Sequence, residues 1–419
     1  MPHNPMKLHE TFIKPEYGST CFAHLPATVK YLLTGQKQAV LPDHVFGRLP
    51  QRYNTVILFF IDAFGWRFFE KYAADYPFLQ QLVGQGEVSK LTSQFPSTTA
   101  AHVTCIHTGL ANGQSGVYEW QYYEPQLDAL ISPLLFSFAG TSERDTLKPS
   151  KISPKKLYPD QTIYQEMRSD GVKAYAFQPQ AFARSTYSKI MLNGATIIPY
   201  RTLPEALVNL GGMLAEQTEP SYYFLYYPEI DSIGHRYGPE SAQIEAEIDT
   251  FLTIMERLFR QKLAGKLDNT LFILTADHGM TETDPKTTRY LNRDRRLKGV
   301  LPYLRTDRRG QVLVPGGSAR DPFLYIKPEA LDEAHHFLAA RLADQAAVYK
   351  TQDLIEAGLF GPLPVSPALL GRVGNLVILP YRYQSVWWYE KDRYEQSFYG
   401  HHGGLTAEEM EIPLLLYPF

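Results

Sequence analysis

Five short segments of this 419-residue chain carry residue types that can hold a divalent metal or attack an electrophile. The apolar, β-branched run Thr270–Ala276 reads as a buried strand and delivers Asp277 and His278 at its C-terminal end. Open parallel sheets bind their ligands at that edge, and an Asp beside a His is half of a metal site. Alone the pair is weak, because Asp-His-Gly also makes an ordinary turn. Asp231-Ser-Ile-Gly-His235-Arg-Tyr-Gly-Pro239 follows the strand-like Tyr222–Ile230 and reads as a loop. There a glycine permits a tight return, an Asp and a His four apart can face one ion, and Gly238 and Pro239 end the loop. Gly400-His401-His402-Gly403-Gly404 puts a histidine on a glycine-rich turn, where it can complete a site. Asp62 closes the strand-like Thr55–Asp62, a place where a lone Asp is as readily a helix N-cap.

The fifth segment, Phe95–Gly109, is FPSTTAAHVTCIHTG. Pro96 and Ser97 break what precedes, and Thr98-Thr99-Ala100-Ala101 can open a helix. A hydroxyl there lies where backbone N–H groups and the helix dipole favour an anion. Either threonine can be a plain cap, or a hydroxyl placed to attack phosphorus if a metal lowers its pKa. Three Asp, three His and one Thr on separated strand ends would give two ions three protein ligands each, with a bridging hydroxyl. Oxygen and nitrogen donors without cysteine suit Zn2+, with Mn2+ or Fe as alternatives.

Strand–helix alternation must position these groups. Lys173–Gln178 is a further strand, while Trp66–Asp75, Pro204–Glu216 and Ser241–Leu267 read as helices, the last capped by Ser241. The pattern predicts an α/β fold, a mainly parallel sheet covered on both faces. After Met280 the chain turns polar, then offers strands at Gln311–Val314, Pro322–Lys327 and Val373–Pro380 and a helix at Ala330–Ala347. This gives an expected division into a first part of the core (1–285), a cap insertion (286–394) and a return to the core (395–419) through the strand Ile412–Tyr417.

The composition is 44% apolar and 20% charged with a formal net charge of −3, which fits a globular chain without the basic field of a nucleic-acid or anionic-membrane binder. Two cysteines, Cys21 and Cys105, make neither a disulfide framework nor a cysteine zinc site. The polar N-terminus lacks the apolar stretch of a signal peptide, and no run approaches the roughly 18 residues of a membrane span. The expectation is a cytoplasmic protein whose partner is a small-molecule phosphate ester rather than a nucleic-acid polymer or a membrane.

FPSTTAAHVTCIHTG, DSIGHRYGP, TADHGM and HHGGLTAEE, in this order, resemble the type I phosphodiesterase/nucleotide pyrophosphatase branch of the alkaline phosphatase superfamily. The resemblance implies a three-layer α/β/α core. It also implies that Asp62, Asp277 and His278 hold one metal, that Asp231, His235 and His402 hold the other, and that Thr99 is a metal-bound nucleophile. Hydrolysis of phosphodiester or pyrophosphate bonds in nucleotide-like substrates would then pass through a phospho-threonine, with net retention at phosphorus. His402 is preferred to His401 because the family ligand directly precedes glycine; His401 then faces substrate or supports the site.

His102 stands where nucleotide-hydrolysing members carry a phosphoryl-binding asparagine. It can face the site one helical turn from Thr99, or it can be a satisfied structural histidine. In the aromatic stretch Gly116–Tyr123, Tyr118 and Trp120 are the candidates for a pocket rim, though packing suits most aromatics of a chain with 28 Tyr and 23 Phe. Arg184 and His335–His336 read as surface residues. A sulfatase would need a C/S-x-P-x-R motif, which is missing around Thr99. A phosphomonoesterase or phosphonoacetate-type hydrolase shares the metal constellation, and a metal-stabilised binding protein would be expected to lose a ligand or Thr99.

Overall fold

The computed structural model describes residues 7–419. Its centre is a seven-stranded sheet of β1 (Thr55–Ile61), β2 (Glu87–Thr92), β3 (Lys173–Pro179), β4 (Thr196–Tyr200), β5 (Ser221–Tyr227), β6 (Thr270–Thr275) and a last strand, Glu411–Pro418. A smaller sheet of β7 (Phe323–Leu324), β8 (Ala346–Lys350) and β9 (Leu376–Pro380) comes before that last strand, which is therefore β10. The large sheet runs β2-β10-β6-β1-β5-β3-β4. β10 is antiparallel to both its neighbours, and all the other pairings are parallel. Every residue of β1 and β6 is buried, as continuous apolar runs require when helices cover both faces of a sheet.

The helices form two layers. On one side α1 (Leu25–Thr34), α4 (Thr99–Thr108) and α5 (Ile163–Ser169) pack together. On the other, α3 (Pro77–Gln85) and α8 (Ala242–Ile254) pack together, and both meet the π-helical turn Met255–Arg260, as does α6 (Leu203–Glu216). Two more helices lie at the strand ends, α2 (Trp66–Tyr72) and α7 (Glu229–Tyr237). Ser241 caps α8 through a bond from the Ile244 N–H. Among the described residues no helix is long and apolar enough to cross a membrane.

Several elements differ from the sequence reading. The strand read through Ile230 stops at Tyr227, and the segment read as a loop is α7, so Asp231 and His235 are one turn apart on one helical face. Gly234 serves packing there rather than a tight turn: a Cβ on it would lie 2.7 Å from the Met280 sulfur. β2 and β4 lie outside the sequence reading: polar residues interrupt the run of β2 (EVSKLT), and β4 (TIIPY) is short, carries a proline and is mostly half-buried or exposed. The helix expected over Ala330–Ala347 spans only Leu331–Leu342, and Ala346 and Ala347 begin β8. In Gln311–Val314 only Val312 forms a β-bridge, with Thr306.

The small sheet and the Leu331–Leu342 helix, α9, enclose a second apolar cluster that includes Leu291, Val300, Leu338 and Ile378. Leu354, Phe360 and Leu369 of the same stretch pack into the main core instead.

Candidate active site

β1 lies between β5 and β6 with Phe60 level with both Tyr226 and Thr275. Three carboxylates therefore leave adjacent strands at one edge, on strands about 4.8 Å apart: Asp62 after β1, Asp231 in the first turn of α7, and Asp277 after β6. Asp277 Oδ1 accepts from the Ala63 N–H at 3.1 Å and the His278 N–H at 3.0 Å. Ala63 has φ +61°, a left-handed conformation that favours glycine. His402 arrives on the segment before β10, and Gly403 (φ +122°) makes the turn that only glycine adopts readily.

Three imidazoles are oriented alike. Nδ1 of His278 lies 2.9 Å from the Gly279 carbonyl, Nδ1 of His402 2.9 Å from that of Ser97, and Nδ1 of His235 2.8 Å from that of Gly400. A proton donated from each Nδ1 leaves Nε2 with a free lone pair, the usual arrangement of a metal-binding histidine. Those Nε2 atoms converge on the carboxylates. His278 is 3.3 Å from Asp277 and 3.5 Å from Asp62, while His235 and His402 are 3.3 and 3.6 Å from Asp231.

Two groups are tight enough for one ion each. Asp62, Asp277 and His278 form the first; Asp231, His402 and again His278 form the second, with His235 beside Asp231. The rings of His278 and His402 stack at 3.6 Å.

Thr99 is the first residue of α4, and from Leu91 to Thr108 it alone is not buried. Its hydroxyl lies 3.2 Å from His278 Nε2 and 3.4 and 3.5 Å from the two Asp62 oxygens. Thr98 occupies the N-cap position without a capping bond from its side chain.

The donor set fits divalent cations. Asp231 Oδ1 and Asp277 Oδ2 are buried with no hydrogen-bond partner, and among the described residues no Lys or Arg pairs with the three carboxylates. Burial, then Asp277 and Asp231, pushes the Asp62 carboxyl well above the usual range, and burial raises Asp277 to about 7. Burial and neighbouring histidines hold His278 and His402 far below an ordinary imidazole. A polar cluster that disfavours its own carboxylates is relieved by cations placed among them.

Two cavities meet at this cluster, and Thr99, Trp120 and Asp231 line both. One, of about 240 Å3, has apolar walls that include Leu134, Leu135, Phe182 and Leu192, with Arg144 and Gln178 among them. The other, of about 340 Å3, lies on the side of His235 and His402. Trp120 is 44% exposed at their junction, and His401 lines the second cavity without joining either ligand group.

Two expected substrate contacts are corrected. His102 is fully buried and lines neither cavity. Its Nε2 accepts from the Gln94 N–H at 2.8 Å, its Nδ1 lies 2.7 Å from the Thr98 carbonyl, and Phe22 packs edge-on at 4.7 Å. Burial lowers its pKa to about 3, so it is a neutral strut beneath the Thr99 helix start. Tyr118 is likewise buried, stacked on Tyr122 at 5.1 Å and edge-on to Phe323, and does not reach the rim.

Three supporting groups went unrecognised in the sequence. The Tyr226 hydroxyl donates to Asp62 Oδ2; the alternation of β5, which sets Tyr226 level with Phe60, is the signal that could have found it. Ser97 donates from Oγ to the Gly404 carbonyl at 2.8 Å and accepts from the Gly403 N–H at 3.1 Å, tying the His402 turn to the Thr99 segment. Arg320 and Glu409 form a fully buried ion pair under the same turn; nothing local in the sequence marks it.

Known proteins share sequence and fold with this chain. Ectonucleotide pyrophosphatase/phosphodiesterase family member 3 of Rattus norvegicus is 25% identical over 244 residues, covering 56% of this chain and 26% of that protein. Bis(5'-adenosyl)-triphosphatase of Bos taurus is 25% identical over 233 residues, covering 54% and 48%. The chain thus spans about a quarter to a half of the length of these relatives. The solved structure of murine ectonucleotide pyrophosphatase / phosphodiesterase 5 shares the fold, with a TM-score of 0.63 at 20% identity over 87% of this chain and 88% of that one. An inactive form of that murine protein in complex with AMP gives 0.61 at 20% identity, covering 87% of each chain. Residues 56–405 match the profile of the type I phosphodiesterase / nucleotide pyrophosphatase family, and the chain belongs to that family.

Proposed function

We propose that this chain is a two-metal hydrolase of phosphodiester or pyrophosphate bonds that works through Thr99. The observation that carries the reading is the Thr99 hydroxyl, set in a carboxylate–imidazole cluster at the junction of two cavities. A phosphoryl group at that junction has room for a substituent on each side, whereas a monoester would use only one. Apolar walls suit a nucleoside-like arm in the smaller cavity.

Asp62, Asp277 and His278 with Thr99 would hold one divalent cation, and Asp231, His235 and His402 the other, with zinc the best match to the donors. Bound there, the two ions would acidify the Thr99 hydroxyl and a water and neutralise phosphoryl oxygens. Thr99 Oγ attacks phosphorus, the bond to the leaving oxygen breaks, and the phosphoryl group rests on Thr99. A water oxygen then displaces Oγ, so two in-line steps give net retention. Tyr226 fixes the Asp62 carboxylate throughout, and the N-terminus of α4 favours the negative charge that gathers there.

The test is a paired assay on zinc-loaded protein with bis-p-nitrophenyl phosphate and p-nitrophenyl phosphate. The diester should be strongly preferred, and Thr99→Ala should abolish its turnover while both metals stay bound. Preference for the monoester, or normal turnover by Thr99→Ala, refutes the proposal.

A further inference from the structure

The polar stretch after Met280 has an electrostatic character that the metal cluster does not use. Residues 286–298 carry six Lys or Arg against one acid, Asp294, in a chain whose formal net charge is −3. Three of those cations, Lys286, Arg289 and Arg293, line a third cavity of about 480 Å3 that shares no wall residue with the two at the cluster. Its wall is fixed from behind. Arg289–Tyr290 runs parallel to Val386–Trp387, with the Arg289 N–H on the Ser385 carbonyl at 3.0 Å and the Leu291 N–H on that of Trp387 at 2.8 Å. The Arg289 side chain is oriented by two bonds, from Nε to Gln345 Oε1 at 3.2 Å and from one terminal nitrogen to Asp294 Oδ2 at 3.0 Å. Arg293 lies over the Tyr389 ring at 3.4 Å, a contact that uses the face of the guanidinium and leaves its N–H edge for a ligand. Asp294, the only acid in the wall, is already engaged, since its Oδ1 accepts from the Arg296 N–H at 2.8 Å and its Oδ2 from Arg289. Among the described residues neither Lys286 nor Arg293 pairs with a carboxylate, and Gln345 and Gln384 add side-chain amides to the same wall.

We propose that this cavity is a second anion site, separate from the metal cluster, which takes a small soluble molecule bearing a diphosphate group on Lys286, Arg289 and Arg293. A wall of fixed donors whose one acid is engaged attracts anions, and a guanidinium edge meets phosphate oxygens two at a time. Three cations set apart on one wall match two joined phosphate groups better than a single one. The wall is concave rather than flat, which suits a small molecule.

The test treats the metal-loaded protein with phenylglyoxal, which modifies arginine, in the presence of methylenediphosphonate, a diphosphate analogue that resists hydrolysis. Peptide mass spectrometry reads the labelling residue by residue. Methylenediphosphonate should suppress labelling of Arg289 and Arg293 and leave that of Arg295, which is exposed in the same stretch but outside the cavity, unchanged. Lys286 is exposed, so Lys286→Gln should fold normally and raise the concentration needed for half-protection about tenfold. Equal slowing at all three arginines, equal protection by sodium sulfate at matched ionic strength, or protection undiminished in Lys286→Gln overturns the proposal. Protection by vesicles of phosphatidylcholine with phosphatidic acid, and none by methylenediphosphonate, would make the cavity a membrane contact and overturns it too. The labelling is read at these arginines without turnover, so its outcome does not depend on the hydrolase reading.

Discussion

Arg320 offers the sharpest test of how the site is held. Its side chain is fully buried, with Nε and one terminal nitrogen on Glu409 at 2.9 and 2.8 Å. The remaining donors reach the carbonyls of Tyr381 at 2.8 Å, Pro380 at 3.1 Å and Gln384. Glu409 in turn accepts from the Gly404 N–H at 3.0 Å, the Thr406 N–H at 3.3 Å and the Thr406 hydroxyl at 2.8 Å, just after His402. Arg320→Met removes the cation, strands a buried carboxylate and leaves three carbonyls short of a donor. Breaking one side of a buried pair costs about 3–5 kcal/mol, and the three donors left on Glu409 place the expected value near the lower end. Removing both partners, in Arg320→Met with Glu409→Leu, takes away the stranded acid but also orphans the three donors on Glu409, so the double variant should cost less than the sum of Arg320→Met and Glu409→Leu. Urea unfolding of chelator-treated protein at matched m-values measures both quantities. A single-variant cost under about 1 kcal/mol, or singles that simply add, would refute this account. Folded Arg320→Met should also retain less metal, because the His402 turn hangs on Glu409.

The other expectations are simpler. Tyr226→Phe removes, among the described residues, the only side-chain donor on Asp62 Oδ2 apart from Thr99, and should lower metal affinity or turnover by about 10–100-fold; unchanged values in metal analysis and kinetics would show that the bond is idle. His102→Ala should cost about 2–4 kcal/mol through a cavity and an unsatisfied Gln94 N–H while leaving KM unaltered. A large rise in KM without loss of stability would return His102 to a substrate-binding role. Asp231→Ala and His402→Ala should each lose about one metal equivalent while Thr99→Ala loses none, and full occupancy in the first two would refute the ligand assignment. Chelation of the wild type should lower its unfolding midpoint, since a ligand bound only by the native state stabilises it; an unchanged midpoint would show that the cluster needs no cation.

The amino-acid order determined the pieces that are local. Apolar runs such as TVILFFI and TLFILT set the buried strands, and with them the edge at which Asp62, Asp277 and His278 emerge. The short motifs named the groups that can bind metal, because chemistry resides in residue type and near spacing. Tertiary structure decided the rest. Asp231 and His235 sit on a helix rather than a loop, and Gly234 lets that helix approach Met280, a contact that no local pattern reveals. His102 lies one turn from Thr99 on either reading, and only the carbonyl, N–H and phenyl ring around it show that it faces inward. Tyr118 and Trp120, two residues apart, divide between core and cavity mouth for the same reason. Arg320 and Glu409 are 89 residues apart, and Asp62 and Tyr226 are 164 apart. Such partners meet because strand order and a returning antiparallel strand bring their segments together, so the chain sequence names each group while only the fold specifies what it touches.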